Sequence, residues 1–436
     1  MKILKQIAVA VCLLRIGCLN LNTQEERANQ LIDSADLAIV DYRFVMTPHE
    51  ARNAGFFEHE GRWLQKRWRK KVKKWKRLDK SHSSWKKAQR LSSKHYRLVT
   101  NLPNHIVDAE IEPYLDAQYR AFTKFFKREF KMSAKAANKK QINIHKSIED
   151  YAVNTGKSVQ QARYNPGFIA GGAELTVYYD VRDPDVFFST VMHEGAHQFI
   201  SAIFSGASFP KWLNEGLATY FEGCSYSRAD KKFEIGNLPM PRLATARRVL
   251  EERPNDSIDD LFLSVPDLKF GAQEYSLAWS FLHYLMHGEN GKYKKTFIKF
   301  LKEMNGAGVK RTASQIFAKI AKVEFRELES GWKKFVLGLQ TRDVPYWVQL
   351  RARSEELARF GFRAMDRVTH LDGIRVVNAK HFNELWSARD SAKVSNLILR
   401  SDNRENSMLR GLRLPANADM SLVGYNTRSR AGSLKD

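Results

Sequence analysis

The run Val191-Met192-His193-Glu194-Gly195-Ala196-His197 sets two imidazoles four residues apart, with a carboxylate beside the first. On a helix this spacing puts His193 and His197 on one face, at a separation that suits one metal ion. Glu194 is turned about a third of a turn from His193, so its carboxylate would reach a water beside the ion rather than the ion itself. Seventeen residues then separate His197 from Glu215, which stands in Trp212-Leu213-Asn214-Glu215-Gly216-Leu217-Ala218. Two neutral nitrogens and one carboxylate, with a fourth position left for water, make a catalytic zinc set.

Two helices must bring these groups together. Asp183-Pro184-Asp185 reads as a helix start: a capping residue, proline at the first helical position, then an acid in the first turn. That helix is expected to run to about Phe204, with Gly206 as its stop. Pro210 opens the second helix and Gly223 closes it. The residues between allow the two to pack side by side. Upstream, His95 to Asn101 alternates and reads as the first strand of the main domain. Ile106 to Phe130 carries Ile111, Leu115, Tyr119, Phe122 and Phe126 along one helical side. Lys131 to Lys140 is a polar linker. Gly167 to Tyr179 supplies glycines followed by an extended run. From Asp183 to Leu339 helical patterns dominate. Strands first and helices after imply an α+β domain.

His193-Glu194 with His197, followed by Trp212-Leu213-Asn214-Glu215-Gly216-Leu217-Ala218, resembles the gluzincin metallopeptidases, especially the aminopeptidase-N-like clan. The resemblance implies Zn²⁺ held by His193, His197 and Glu215, with Glu194 as general base for a metal-activated water that hydrolyses peptide bonds. Tyr275, sixty residues beyond Glu215, opens Tyr275-Ser276-Leu277-Ala278-Trp279 at the place where that clan has an oxyanion-stabilising tyrosine. A packed tyrosine at a helix end is the other reading of Tyr275. From about His95 to Leu339 the chain is also similar to an uncharacterised bacterial family of secreted gluzincin-like peptidases. The spacer before Glu215 is one residue shorter than is usual in the aminopeptidases. Their segment for the substrate amino terminus has only a faint counterpart in Gly171 to Leu175, too close to His193. Aminopeptidase specificity is therefore not implied. The run Leu175 to Tyr179 is expected instead to hold a peptide substrate by backbone pairing.

The rest of the chain bounds the surroundings of this site. The 436 residues carry a net charge of +24 with 43% apolar residues, which excludes wholesale disorder and allows several domains. Sixteen Lys and Arg lie from Arg62 to Arg97 against one acid, Asp79. Leu64, Trp68, Val72 and Trp75 fall on one helical stripe within that segment. It reads either as an adhesive surface for anionic membrane or wall polymer, with nucleic acid a weaker partner, or as a solvated helix whose Trp side chains pack on the main domain. Three cysteines, Cys12, Cys18 and Cys224, exclude a disulfide framework. Met1 to Leu14 has the order of an export signal, two lysines before a short apolar run, and Cys18 makes a lipid anchor a further option.

Beyond Leu339, Val348 to Val376 resembles the centre of a bacterial PDZ domain, with an Asp372-Gly373 hairpin turn. Asn378 to Arg389 would be its second helix, and Val394 to Arg400 and Leu409 to Leu414 its last strands. The expected organisation is an export signal at 1–20, an N-terminal region with a basic amphipathic helix at 21–91, a zincin-like peptidase domain at 92–340, a β-rich PDZ-like domain at 345–415 and a flexible tail at 416–436. An exported peptidase, periplasmic, envelope-associated or extracellular, is the leading reading. A catalytically inactive peptidase fold that binds anionic polymers is the alternative.

Overall fold

Thr47 caps the first helix, with its hydroxyl accepting from the Glu50 amide while the Glu50 carboxylate accepts from the Thr47 amide, and Pro48 sits at the first turn. The computed structural model describes residues 37–414 apart from 41–43, 134–138, 171–173, 182–183, 205–208, 228–229, 307–311, 340–347, 350–366, 377–378, 391 and 403–406. The expected export signal, Asp183, Gly206, the loop at Gly361 to Asp366 and the tail lie outside the described residues. No helix among the described residues is long and apolar enough to cross a membrane. The secondary structure is mixed, as the α+β reading expects. Among the described residues two compact units form: one from residues up to Lys66 together with those from Val348 to Leu414, the other from Arg67 to Leu339.

In the first unit, β1 (Ala38–Val40), β2 (Phe44–Met46), α1 (Pro48–Asn53), β3 (Phe56–His59) and β4 (Arg62–Gln65) come first. The sheet order is β2-β1-β4-β3, and β3 and β4 form a hairpin through Glu60 and Gly61, both at positive φ. The hairpin corrects the helical stripe read from Leu64: Leu64 pairs with Phe57 on a strand. After β4 the chain leaves this unit and builds the second before returning.

A 3₁₀ segment, Lys66–Lys71, leads into that unit, and α2 (Val72–Ser81) follows. Its sheet consists of β5 (Gln89–Ser92), β6 (Tyr96–Thr100), β7 (Lys140–His145), β8 (Gly167–Ala170) and β9 (Glu174–Tyr178), in the order β5-β6-β7-β9-β8. The strand expected first, at His95 to Asn101, is therefore second. Between β6 and β7 the chain is helical from Asn104 to Phe130, with α3 (Glu112–Phe125) flanked by π turns. Next come α4 (Ile148–Thr155), α5 (Val159–Tyr164), α6 (Pro184–Ile203), α7 (Lys211–Tyr220), the small hairpin β10 (Ser225–Ser227) and β11 (Lys232–Glu234), α8 (Met240–Glu252) and α9 (Ala272–His287). Three further helices complete the lobe, α10 (Lys294–Gly306), α11 (Ala313–Ala321) and α12 (Glu329–Gly338).

Two cores meet along α6. Phe187, Phe188 and Val191 near its start pack with Leu98, Ile142, Ile144, Leu175 and Val177 of the sheet. Met192, Ala196, Phe199, Ile200 and Ile203 join the helical core of α7, α8, α9 and α12. A helix apolar on so many sides must be buried on both. His193, Glu194 and His197 are only half-buried at the seam. α9 is buried throughout from Ser276 to Met286, the central post of the lobe.

β12 (Val348–Gln349), β13 (Arg367–Leu371), β14 (Ile374–Arg375), α13 (Ala379–Ala388), β15 (Ser395–Asp402) and β16 (Ser407–Leu414) return the chain to the first unit. Asp372 and Gly373 turn the β13–β14 hairpin at positive φ, as Asp-Gly favours. A side chain at Gly411 would begin 2.8 Å from Val45 Cγ1, so β16 lies directly against the N-terminal strands. Arg413 Nη2 donates to Glu50 Oε2 at 2.7 Å across the same contact. Burial pushes the Glu50 carboxyl up, but Arg413 and Thr47 outweigh it and hold it below its usual range. The described strands on either side of the second unit, within 38–65 and 348–414, thus belong to one unit, whereas the sequence reading kept 21–91 and 345–415 apart.

Candidate metal centre

α6 and α7 present His193, His197 and Glu215 so that one ligand atom from each lies within 4.8 Å of the others. The same oxygen, Glu215 Oε2, stands 3.4 Å from His193 Nε2 and 3.2 Å from His197 Nε2. The other oxygen, Oε1, is 3.1 Å from Lys211 Nζ, one turn earlier on α7. Lys211 therefore leaves Glu215 showing a single oxygen to the imidazoles.

The outer nitrogens of the imidazoles decide what the inner ones can do. His193 Nδ1 donates to Glu222 Oε1 at 2.8 Å, and His197 Nδ1 donates to Asn214 Oδ1 at 3.3 Å. With the ring protons on Nδ1, both Nε2 atoms turn a lone pair toward Glu215. Two lone pairs and a carboxylate oxygen repel each other unless a cation, either a proton or a metal ion, sits among them. An ion with tetrahedral bonds of about 2.1 Å sets its ligand atoms about 3.4 Å apart, close to the separations found. The donor set fits a divalent ion in chemistry and spacing.

Charge balance at the site runs the same way. Burial alone would lower the His193 imidazole, but the flanking Glu215 and Glu222 carboxylates raise it to about 9. Glu215 is pushed up by burial and pulled far below the usual carboxylate range by the two imidazoles. Glu222 is likewise opposed by burial, yet His193 and Arg242 hold it at about 2. Protons and a metal ion compete for the same lone pairs.

Glu222 and Arg242 are the functional residues that the sequence reading missed. Arg242 of α8 donates through Nε and Nη2 to Glu222 Oε2 and Oε1 at 2.7 and 2.8 Å, a two-pronged grip that leaves the carboxylate one orientation. Glu222 lies seven residues beyond Glu215, on the 3₁₀ turn that follows α7, and that spacing was a usable signal. Arg242 comes from another helix, and nothing local marks it. We expect Glu222→Ala to weaken metal affinity about 10–100-fold, because the His193 ring loses its tether. Competition with a chromophoric chelator measures this, and an unchanged affinity would remove Glu222 from the site.

Glu194 is half-buried and has no hydrogen-bond partner among the described residues. Its carboxyl is raised by burial, an effect that the nearby imidazoles reduce but do not cancel. Tyr275 lies in the first turn of α9, three residues after its start at Ala272 rather than at its opening, with its amide donating to the Gly271 carbonyl. Its ring centroid is 6.4 Å from that of His193, and the Arg242 guanidinium lies 5.7 Å over its face. Burial and the Glu215 charge raise the Tyr275 phenol, so it stays protonated. All five expected site residues therefore gather in one place.

One expectation fails. The run Leu175 to Tyr179 cannot receive a peptide by backbone pairing, because β9 is already paired with β7 on one side and β8 on the other. Among the described residues the edge strand on that side of the sheet is β8.

Residues 187–307 match a family described as "Protein of unknown function (DUF1570)". The matched stretch contains His193, Glu194, His197, Glu215, Glu222, Arg242 and Tyr275, and covers less than half of the chain. No curated protein matches the chain.

Proposed function

We propose that the second unit is a zinc-dependent peptidase in which His193, His197 and Glu215 hold the ion. The observation that carries this reading is the convergence of two imidazole lone pairs and Glu215 Oε2, beside a carboxylate, Glu194, that is left unbonded. Bound zinc supplies a Lewis acid that polarises a carbonyl and makes water a nucleophile at neutral pH.

The chain's own residues supply the rest. Glu194, raised by burial, takes a proton from the attacking water and returns it to the leaving amine. Tyr275, kept protonated, donates a hydrogen bond to the carbonyl oxygen as negative charge builds there. Lys211 and Arg242 hold the Glu215 and Glu222 carboxylates, so the imidazoles do not swing as the proton moves.

The gluzincin-like assignment of this unit belongs to the same proposal, supported by the α6–α7 arrangement. So does a PDZ-like assignment of the C-terminal strands, supported by the Asp372-Gly373 hairpin, α13 and the β15–β16 pair. Export of the protein belongs to the proposal too and rests on the sequence of its first residues.

Zinc-loaded protein incubated with a mixed peptide library should produce new termini detectable by mass spectrometry. Cleavage should stop with chelator and return with zinc. A folded, zinc-loaded protein that leaves the library intact would rule the proposal out.

A further inference from the structure

The basic segment looks different once its aromatic side chains are located. Trp75 is buried at 1% exposure, and its Nε1 donates to Asp108 Oδ2 at 2.8 Å. Trp68 lies against Trp75 with ring centroids 5.8 Å apart, and Lys71 Nζ joins Asp108 at 3.0 Å. Trp85 stacks on His145 with centroids 3.6 Å apart. Asp79 also turns inward, with Oδ1 accepting from the Asn104 amide at 2.9 Å and from Asn104 Nδ2 at 2.7 Å. Trp75, Trp85 and the lone acid of the segment thus fasten it to the body of its unit, and Trp68 leans on Trp75.

What remains outward is almost wholly cationic. On α2 the exposed residues are Lys73, Lys74, Lys76, Arg77 and Lys80, together with Ser81 at its end. Lys73, Arg77 and Lys80 recur at helical spacing on the side opposite Trp75. Arg67 and Lys70 before the helix, and Lys86, Lys87, Arg90, Lys94 and Arg97 after it, are exposed too. Self-repulsion among these charges destabilises the fold unless an anionic partner screens it.

We propose that the α2 face docks this unit onto an anionic phospholipid bilayer by charge alone, with no side chain inserted among the lipid tails. The Trp rings that an inserting helix would push into the bilayer are here turned the other way. Lysines, four of the five cations on α2, act as mobile point charges suited to a fluid array of headgroups. Recognition of a duplex would call for directional groups beside them, and single strands would need free aromatic faces. This inference is independent of the peptidase reading, since none of the site residues takes part in it.

The test is co-sedimentation of the full chain with vesicles of neutral lipid, and with vesicles holding about a third phosphatidylglycerol, at low salt and at about 0.5 M salt. The wild type should bind only the anionic vesicles and lose most binding at high salt. Trp fluorescence should be unchanged by lipids brominated in the acyl chain. Changing Lys73, Lys74, Lys76, Arg77 and Lys80 together to Gln should reduce partitioning more than tenfold, while circular dichroism and metal content stay as in wild type. A variant with only Lys73, Arg77 and Lys80 changed serves if the fivefold one does not fold. Equal binding by variant and wild type, binding to neutral vesicles, quenching by brominated lipid, or preference for duplex DNA at equal phosphate would each overturn the proposal.

Discussion

Glu194→Gln should retain zinc at wild-type occupancy and lose peptide hydrolysis by about 10²- to 10⁴-fold. The amide is close in shape to the carboxylate but cannot accept the proton of the attacking water. Glu194 is not among the three residues whose ligand atoms converge, so the metal should stay in place. Its carboxyl is raised by burial, which brings its proton affinity nearer to that of a base working at neutral pH. Two results would separate the possibilities. Loss of the metal would make Glu194 a ligand, and a fall in rate of less than tenfold would place the base elsewhere.

A large effect on stability is expected at Gly216, immediately after Glu215. A Cβ there would stand 2.6 Å from Leu282 Cδ1 and 3.1 Å from the Ala278 carbonyl oxygen, both on α9. The Leu282 side chain can shift, but the Ala278 backbone cannot without moving the helix. α7 and α9 therefore approach as closely as they do because residue 216 has no side chain. Gly216→Val should cost about 3 kcal/mol by overpacking a buried contact. In a unit of this size that corresponds to a thermal midpoint lower by roughly 6–12 °C. Because the same contact sets Glu215 relative to Tyr275, metal affinity should fall with it. A midpoint equal to that of wild type would show that the helices do not pack this way.

The candidate metal-ligand constellation was legible because its signals are local. Helical spacing put His193 and His197 on one face, Pro184 and Pro210 marked two helix starts, and Glu215 fell on the second helix. Features set by partners far away in the chain were not legible. Arg242 reaches Glu222 from another helix, and no pattern around either residue records the pairing. The extended run at Leu175 was read correctly as a strand, yet its openness was misjudged. Whether an edge is free depends on which strands lie beside it, here β7 and β8, and not on the strand's own residues. Leu64 failed for a related reason. Its spacing from Trp68 is helical, but the Glu60-Gly61 turn and the pairing of β3 with β4 give the backbone a better set of hydrogen bonds. The joining of the N-terminal strands to β15 and β16 is a contact across most of the chain, marked by Gly411 against Val45 and by the Glu50–Arg413 pair.

The central claim is that His193, His197 and Glu215 form one zinc site. The most direct test is metal analysis of the folded wild-type chain, loaded with zinc and then dialysed, alongside His197→Ala treated identically. About one zinc per wild-type chain is expected, with little or none in the variant. Folded wild type that retains no zinc, or a variant that retains as much as wild type, would contradict it.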